Sequence, residues 1–208
     1  MAPLPPDPVA AAIYRTYEVR ERAAPARGYL GASVLGKECR RALWYEFRHA
    51  GKTAPEGRIL RLFQTGHREE EHVKDNLRAI GCEVVGEQFE VTFCDGHGHG
   101  HLDAVVRGVP GAEVTWHVFE GKTFNKKRFA ELEKKGPPPE HIAQCQVYMG
   151  EAGLARAIYV AVCKDDDRIY TARIPYDRDA HQELLAKARD VVYAENPPER
   201  INNYPSFW

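Results

Sequence analysis

Residues 100–106, GHLDAVV, and residues 116–122, WHVFEGK, read at strand period as two β-strands joined through a polar break with a turn around Pro110 and Gly111. Asp103 lies on the first strand and Glu120 and Lys122 on the second. Glu120 and Lys122 are two positions apart and therefore share a face. If the strands pair as neighbours, Asp103 reaches that face as well, and two carboxylates converge with an ammonium beside them. Carboxylates crowded in this way are costly to desolvate unless a cation sits among them, and oxygen donors alone are what Mg²⁺ or Mn²⁺ prefer. The pattern predicts a divalent-metal site. Taken alone it also suits an exposed sheet edge kept soluble by charge, so the neighbouring segments have to decide.

The 208 residues, 43% of them hydrophobic, suffice for one core and a single domain with a short tail. No run approaches the ~20 apolar residues of a membrane span. The N-terminal MAPLPPDPVAAAIYR carries prolines and an Asp where a signal peptide needs basic and then apolar residues, which points to a cytoplasmic protein without a membrane partner. Cys39, Cys82, Cys94, Cys145 and Cys163 form no CxxC pair. They are expected to be reduced, with Cys82, Cys94 and Cys163 packing as small hydrophobes. A formal net charge of −1 is not that of a uniformly basic nucleic-acid binder. The charge is uneven, however: residues 36–52 hold five basic against two acidic side chains, and residues 120–135 six against three. Two basic islands thus flank an acidic centre, although each by itself also fits a solvated helix face.

Along the chain, residues 1–9 are Pro-rich and expected to be loosely packed, and Val9, Ile13, Tyr14 and Tyr17 give a short amphipathic helix outside the core. These make an N-terminal segment, residues 1–28, ahead of one domain, residues 29–208. Within residues 29–51 a helix capped by Ser33 is expected, with Leu35, Leu43, Trp44 and Phe47 as its apolar stripe and Arg40, Arg41 and Arg48 off it. A helix start with a hydroxyl and arginines can hold a phosphate, though a plain capped surface helix carries the same signals. Residues 58–81 read as a long helix ended by Gly81, with Ile59, Leu60, Phe63, Val73, Leu77 and Ile80 inward. Gly66 costs that helix about 1 kcal/mol against Ala and is expected to admit the sheet or a substrate backbone. Glu70, one turn on, could complete the metal cluster, against the plainer reading of Glu69 to Glu71 as a solvated charge run.

Strands are predicted over 83–93 and 102–107, separated by a CDGHGHGH turn. His97, His99 and His101 invite a metal reading, but a glycine-alternated tract is a poor preorganised site, and a polar or phosphate-facing loop is expected. A basic helix over 126–135, a GPPP break, a helix from about residue 140 carrying Gln144 and Tyr148 on one face, strands over 157–163 and 168–175, and a helix over 178–195 complete the chain. The order predicts an α/β fold, a mixed central β-sheet flanked by helices.

In sequence order, G-x-x-x-E (Gly66, Glu70), G-H-L-D (Asp103), E-G-K (Glu120, Lys122) and Q-x-x-x-Y (Gln144, Tyr148) resemble the PD-(D/E)XK nuclease superfamily. Over roughly residues 29–208 the chain is similar to phage and prophage exonucleases of the YqaJ or lambda-exonuclease type, including its YLGASVLGKECRRALWYEFR and PEHIAQCQVYM segments. The resemblance implies a restriction-endonuclease-like αβββαβ core. It implies one or two Mg²⁺ or Mn²⁺ ions held by Glu70, Asp103, Glu120 and the backbone carbonyl of Gly121, with Lys122 orienting or deprotonating the attacking water. Gln144 and Tyr148 would position that lysine and the DNA backbone, and Ser33 with Arg40 or Arg41 would receive a terminal 5′-phosphate. The implied activity is metal-dependent 5′→3′ hydrolysis of DNA at duplex ends in phage-type recombination. The implied partners are DNA, a single-strand annealing protein and further copies in a ring-type homotrimer.

Two departures stand out. Leu102 replaces the usual Pro before the first Asp. Branches of the superfamily linked to CRISPR adaptation and to helicases hold an iron–sulfur cluster through a cysteine at the place of Cys39 and three more near the C-terminus. No cysteine follows Cys163 here, so no iron–sulfur cluster is expected. The competing readings are a structure-specific or single-strand nuclease, and a DNA-end-binding module without catalysis. Retention of Glu70, Asp103, Glu120 and Lys122 together argues against the second. Chemically, phosphodiester hydrolysis at neutral pH needs an activated water and a Lewis acid, which carboxylate-bound metals supply, and cations beside Lys122 would depress its pKa.

Overall fold

The structure is a computed structural model describing residues 7–25, 27–50 and 54–201. In chain order its elements are α1 (Pro8–Ala23), β1 (Leu30–Gly31), α2 (Arg40–Phe47), α3 (Gly57–Ala79), β2 (Glu83–Val85), β3 (Phe89–Phe93), β4 (Gly98–Leu102), β5 (Ala104–Arg107), β6 (His117–Phe124), α4 (Lys126–Lys135), α5 (Pro139–Ala152), β7 (Arg156–Cys163), β8 (Ile169–Pro175) and α6 (Arg178–Tyr193). The larger sheet has the order β2-β5-β6-β7-β8, and the smaller β1-β4-β3. Within the larger sheet β6 and β7 run parallel and the other neighbours antiparallel.

Residues 157–163 are buried on both faces, which is why that stretch is a continuous apolar run rather than an alternating one. Ala157, Tyr159, Ala161 and Cys163 face a core shared with Phe129 of α4, Met149 of α5 and Ala188 of α6. Ile158, Val160 and Val162 face the other way, against Val73 and Leu77 of α3. The result is the expected mixed sheet with helices on both faces.

The predicted strand over 83–93 is two strands in two different sheets. Gly86 and Gln88 adopt positive φ (61° and 56°), and the chain turns there from the larger sheet into the smaller. The strand expected over 102–107 breaks in step at Asp103. Val85 pairs with Val105 and Phe89 with Leu102, so residues 86–88 face residues 103–104 with one residue extra, a β-bulge. Asp103 therefore stands where the chain crosses between the sheets.

The GHGHL tract is strand β4, not a flexible loop. A Cβ on Gly98 would fall 2.1 Å from the Phe93 ring, and one on Gly100 would fall 2.4 Å from the Tyr148 ring. The glycines make one face of the strand flat enough for two aromatic rings, and at period two His99 and His101 take the other face.

The helix expected to start behind Ser33 begins only at Arg40, behind Cys39, whose Sγ accepts the N–H of Ala42 at 3.4 Å. Ser33 sits in a 3₁₀ turn, Ala32–Val34, and caps no α-helix. The earlier stretch is drawn out of helix because Leu30, Ala32 and Leu35 are all buried in one core, while Gly36 runs against Glu140, where a Cβ would lie 2.3 Å from Cα.

Of the six inward residues expected on the long helix, Val73 and Leu77 are buried, whereas Phe63 is 53% exposed and Ile80 61%. The first half of α3 instead carries α1: the Tyr17 hydroxyl donates to Gln64 Oε1 at 2.7 Å, and the Gly57 N–H donates to Glu18 Oε1 at 2.9 Å. No residue of α1 is buried, as its position outside the core predicts. The tail expected to be loosely packed lies, up to residue 6, outside the described residues. Gly81, at φ 90°, ends α3 where the sequence places a stop. All five cysteines are free and buried, and among the described residues no helix is long and apolar enough to cross a membrane.

Candidate active site

A cleft of about 780 Å³ opens between α3 and the strands β5 and β6, and Gly66, Glu70, Asp103, Gly121 and Lys122 line it. Ala104 pairs with Phe119, so Asp103 comes level with Glu120 on the neighbouring strand. The Gly121 N–H donates to Asp103 Oδ2 at 2.8 Å. A Cβ on Gly121 would lie 3.2 Å from the Phe119 ring, closer than an ordinary contact, and 3.5 Å from Glu70 Cγ, in ordinary contact with α3. Glu120 is fully buried: its Oε1 accepts from Lys122 Nζ, and its Oε2 has no partner among the described residues. Gly66, by contrast, is not demanded by packing, because a Cβ would meet only Thr123 Oγ1, at 3.8 Å. Its missing side chain leaves room in the cleft.

Crowding of the acids shows in their protonation. Burial, then the Glu120 carboxylate, pushes Asp103 up to about 7. Burial also raises Glu120, and burial with Asp103 raises Glu70. Burial by itself would lower the Lys122 ammonium, but Glu120 and Asp103 more than offset it and hold the group above its ordinary value. The site as it stands is short of positive charge.

One cation at the site goes unnoticed in the sequence. Lys74 is fully buried on α3, with Nζ 3.3 Å from Glu70 Oε1, 2.7 Å from Glu71 Oε1 and 2.9 Å from Glu87 Oε2. Its signal is the i,i+3 and i,i+4 spacing of Glu71 and Glu70 to Lys74. What that spacing does not tell is that this ammonium is inside and fixes the direction of Glu70.

Among the described residues, no three His, Cys, Asp or Glu side chains are gathered closely enough to hold a metal ion as they stand. Asp103 is turned to a main-chain N–H and Glu120 to Lys122. The donor chemistry nevertheless fits a hard divalent cation: the groups are oxygens, their charge is under-compensated, and the buried Oε2 of Glu120 is left without a hydrogen.

Gln144 and Tyr148 lie below the cleft rather than along it. The Gln144 Nε2 donates to the Tyr148 hydroxyl at 3.1 Å, both side chains are buried, and the Tyr148 ring packs under Gly100. Burial, followed by the Glu120 and Asp103 carboxylates, raises the Tyr148 phenol, so the pair stands within electrostatic reach of the cluster.

Ser33 lines the cleft, but Arg40 and Arg41 do not. Arg40 pairs with Asp190, and Arg41 donates to Pro198 O at 3.0 Å and to the Tyr45 hydroxyl at 3.2 Å. Arg48 stacks 4.2 Å over Trp44 and donates to Val191 O, Val192 O and Ala194 O, so much of the first basic island ties α2 to α6 and the segment after it. Besides Lys122, the cleft is lined by Arg128 and Lys164, while Arg27 flanks Ser33 across Gly31. His99 bonds to Glu90 and Gly96 O, and none of His97, His99 and His101 lines the cleft. His141 does, and sequence spacing gave no hint of it.

No family model and no curated protein matches the chain. Among solved structures, the alkaline exonuclease LHK-Exo from Laribacter hongkongensis is similar at a TM-score of 0.62 and 19% identity, over 86% of this chain and 90% of that one. This chain shares the fold of that alkaline exonuclease. LHK-Exo in complex with dAMP gives a TM-score of 0.60 at 20% identity, over 79% and 86% of the two chains. A phage related exonuclease from Haemophilus somnus 129PT gives 0.50 at 14%, over 83% and 96%. The α/β architecture expected from the sequence is thus the one this chain shares with these exonucleases.

Proposed function

We propose that this chain is a metal-dependent deoxyribonuclease, acting as a 5′→3′ exonuclease on duplex ends. One observation carries the reading: a buried, unpartnered carboxylate oxygen on Glu120 beside Asp103, Glu70 and Lys122 in an open cleft. Glu70, Asp103 and Glu120, with the Gly121 carbonyl, would hold one or two Mg²⁺ or Mn²⁺ ions. Bound there, the metal supplies Lewis acidity toward the phosphoryl oxygens and lowers the pKa of water. Lys122 would turn from Glu120 to orient the attacking water as an ammonium or, where metal charge lowers its pKa enough to make it a neutral amine, to take the water's proton. Gln144 and Tyr148 support the lysine from below. Ser33, with Arg27 rather than Arg40 or Arg41 at hand, would receive a terminal 5′-phosphate. Cytoplasmic action on DNA beside a single-strand annealing protein, as a ring-type trimer, completes the proposal.

The test is a gel of 5′- and 3′-labelled duplex and single strands incubated with Mg²⁺, Mn²⁺ or EDTA. Stepwise loss from the 5′ end of duplex, abolished by EDTA, is the expected result. A second reading, a DNA-end-binding module without catalysis, is favoured by the fact that no three ligands are gathered among the described residues. Retention of end binding with no cleavage in any metal would select it.

A further inference from the structure

Tyr159 lies mid-strand in β7 and is fully buried, so its phenol must donate within the protein or forfeit a hydrogen bond. Burial keeps that phenol protonated. The partner its hydroxyl meets is Nδ1 of His141, at 2.8 Å. With Nδ1 as acceptor, the imidazole proton resides on Nε2. Burial, with Lys122 and Arg128 nearby, pushes the imidazole down to about 4, so the ring is neutral at neutral pH. It is also held in place, with the Phe124 ring 5.9 Å and the Tyr159 ring 5.8 Å from it. Among the described residues the second nitrogen has no hydrogen-bond partner, and it is the one left to the cleft that His141 lines with Lys122, Asn125 and Arg128.

We propose that His141 is a substrate-binding residue whose Nε2–H is a fixed, uncharged donor to a non-bridging phosphate oxygen of the bound strand, and that Tyr159 is the positioning residue that sets its tautomer. The inference rests on the nuclease reading of the same cleft. Lys122 and Arg128 already bring positive charge to this wall. A neutral donor adds a directed hydrogen bond without adding repulsion between cations.

The tautomer is read directly by ¹⁵N NMR of histidine-labelled protein at neutral pH. His141 should show a protonated Nε2 and a bare Nδ1, and Tyr159→Phe should release this into a mixture of tautomers. His141→Leu should lower kcat/KM on labelled linear duplex about tenfold to a hundredfold and weaken duplex binding in EDTA. His141→Gln, which restores an N–H near the place of Nε2, should recover most of the loss. A proton on Nδ1 overturns the inference, as does His141→Leu cleaving like the unaltered protein, and in both cases the nuclease reading stands. Unaltered protein that neither binds nor cleaves DNA overturns that reading and the phosphate assignment with it. If His141→Leu does not fold, the comparison passes to His141→Gln and Tyr159→Phe: activity kept in the first and lowered in the second supports the inference, and equal activity in all three proteins refutes it.

Discussion

The Gly121 N–H donates to Asp103 Oδ2 at 2.8 Å, tying the residue at which the chain crosses between two sheets to the strand that carries Glu120 and Lys122. Opposite the bulge at residues 86–88, Asp103 is thereby anchored beside the acids it must meet. Asp103→Ala and Glu120→Ala should each abolish cleavage of linear duplex in Mg²⁺ while leaving the far-UV circular dichroism unchanged. Turnover surviving in both variants would remove these residues from the site.

Metal-free stability should fall as pH rises. Asp103 titrates at about 7 in the folded protein against an ordinary value of 3.8, so the folded state holds the extra proton between those values. Stability present below the lower value is lost progressively up to the higher one. In EDTA, Asp103→Asn should therefore melt higher than the parent at pH 8 and much less so at pH 4. Equal melting of the two proteins across that range would contradict the crowding.

Lys74→Met removes the ammonium that Glu70, Glu71 and Glu87 share. Glu71 and Glu87 can turn to water, but Glu70 is left facing Asp103 with little compensation. A destabilisation of about 3 kcal/mol or more in urea unfolding at neutral pH is expected. A change below about 0.5 kcal/mol would mean that Lys74 acts as a surface cation.

Strand β4 predicts opposite outcomes on its two faces. Gly98→Ala and Gly100→Ala force a methyl into the Phe93 and Tyr148 rings and should cost about 1–3 kcal/mol or more, by chemical denaturation. Replacing His97, His99 and His101 together by Ser should change turnover less than tenfold, about 1.4 kcal/mol in barrier. Complete loss in the triple variant would show the histidines to be part of the site.

A linear duplex with a 5′-phosphate should be degraded faster than one with a 5′-hydroxyl, and closed circles should resist. The preference should shrink in Ser33→Ala and Arg27→Ala but persist in Arg41→Ala, whose guanidinium is taken up by Pro198 O and Tyr45. Indifference to the terminal phosphate, or rapid cutting of circles, would favour a structure-specific nuclease.

By itself the sequence determined the α/β class, the order of elements from the strand pair around Asp103 and Glu120 to the last helix, and the placing of Gln144 and Tyr148 on one helix face. These are set by periods of 2 and 3.6 and by spacings within one element, which local chemistry dictates. It also placed the basic helix at 126–135, the span observed for α4. Only the tertiary structure decided that residues 83–93 serve two sheets, that the glycine–histidine tract is a strand, and that Arg40 and Arg41 face away from Ser33. It decided as well that Lys74 is buried against Glu70 and that His141 lines the cleft. Each depends on what lies across the fold: the Phe93 and Tyr148 rings that need glycine beneath them, Asp190 and Pro198 that draw the arginines off, and the Tyr159 hydroxyl that takes one nitrogen of His141. Most of those partners are distant in sequence, so no local period encodes them, and burial at the point of contact decides which side chains become chemistry and which become packing.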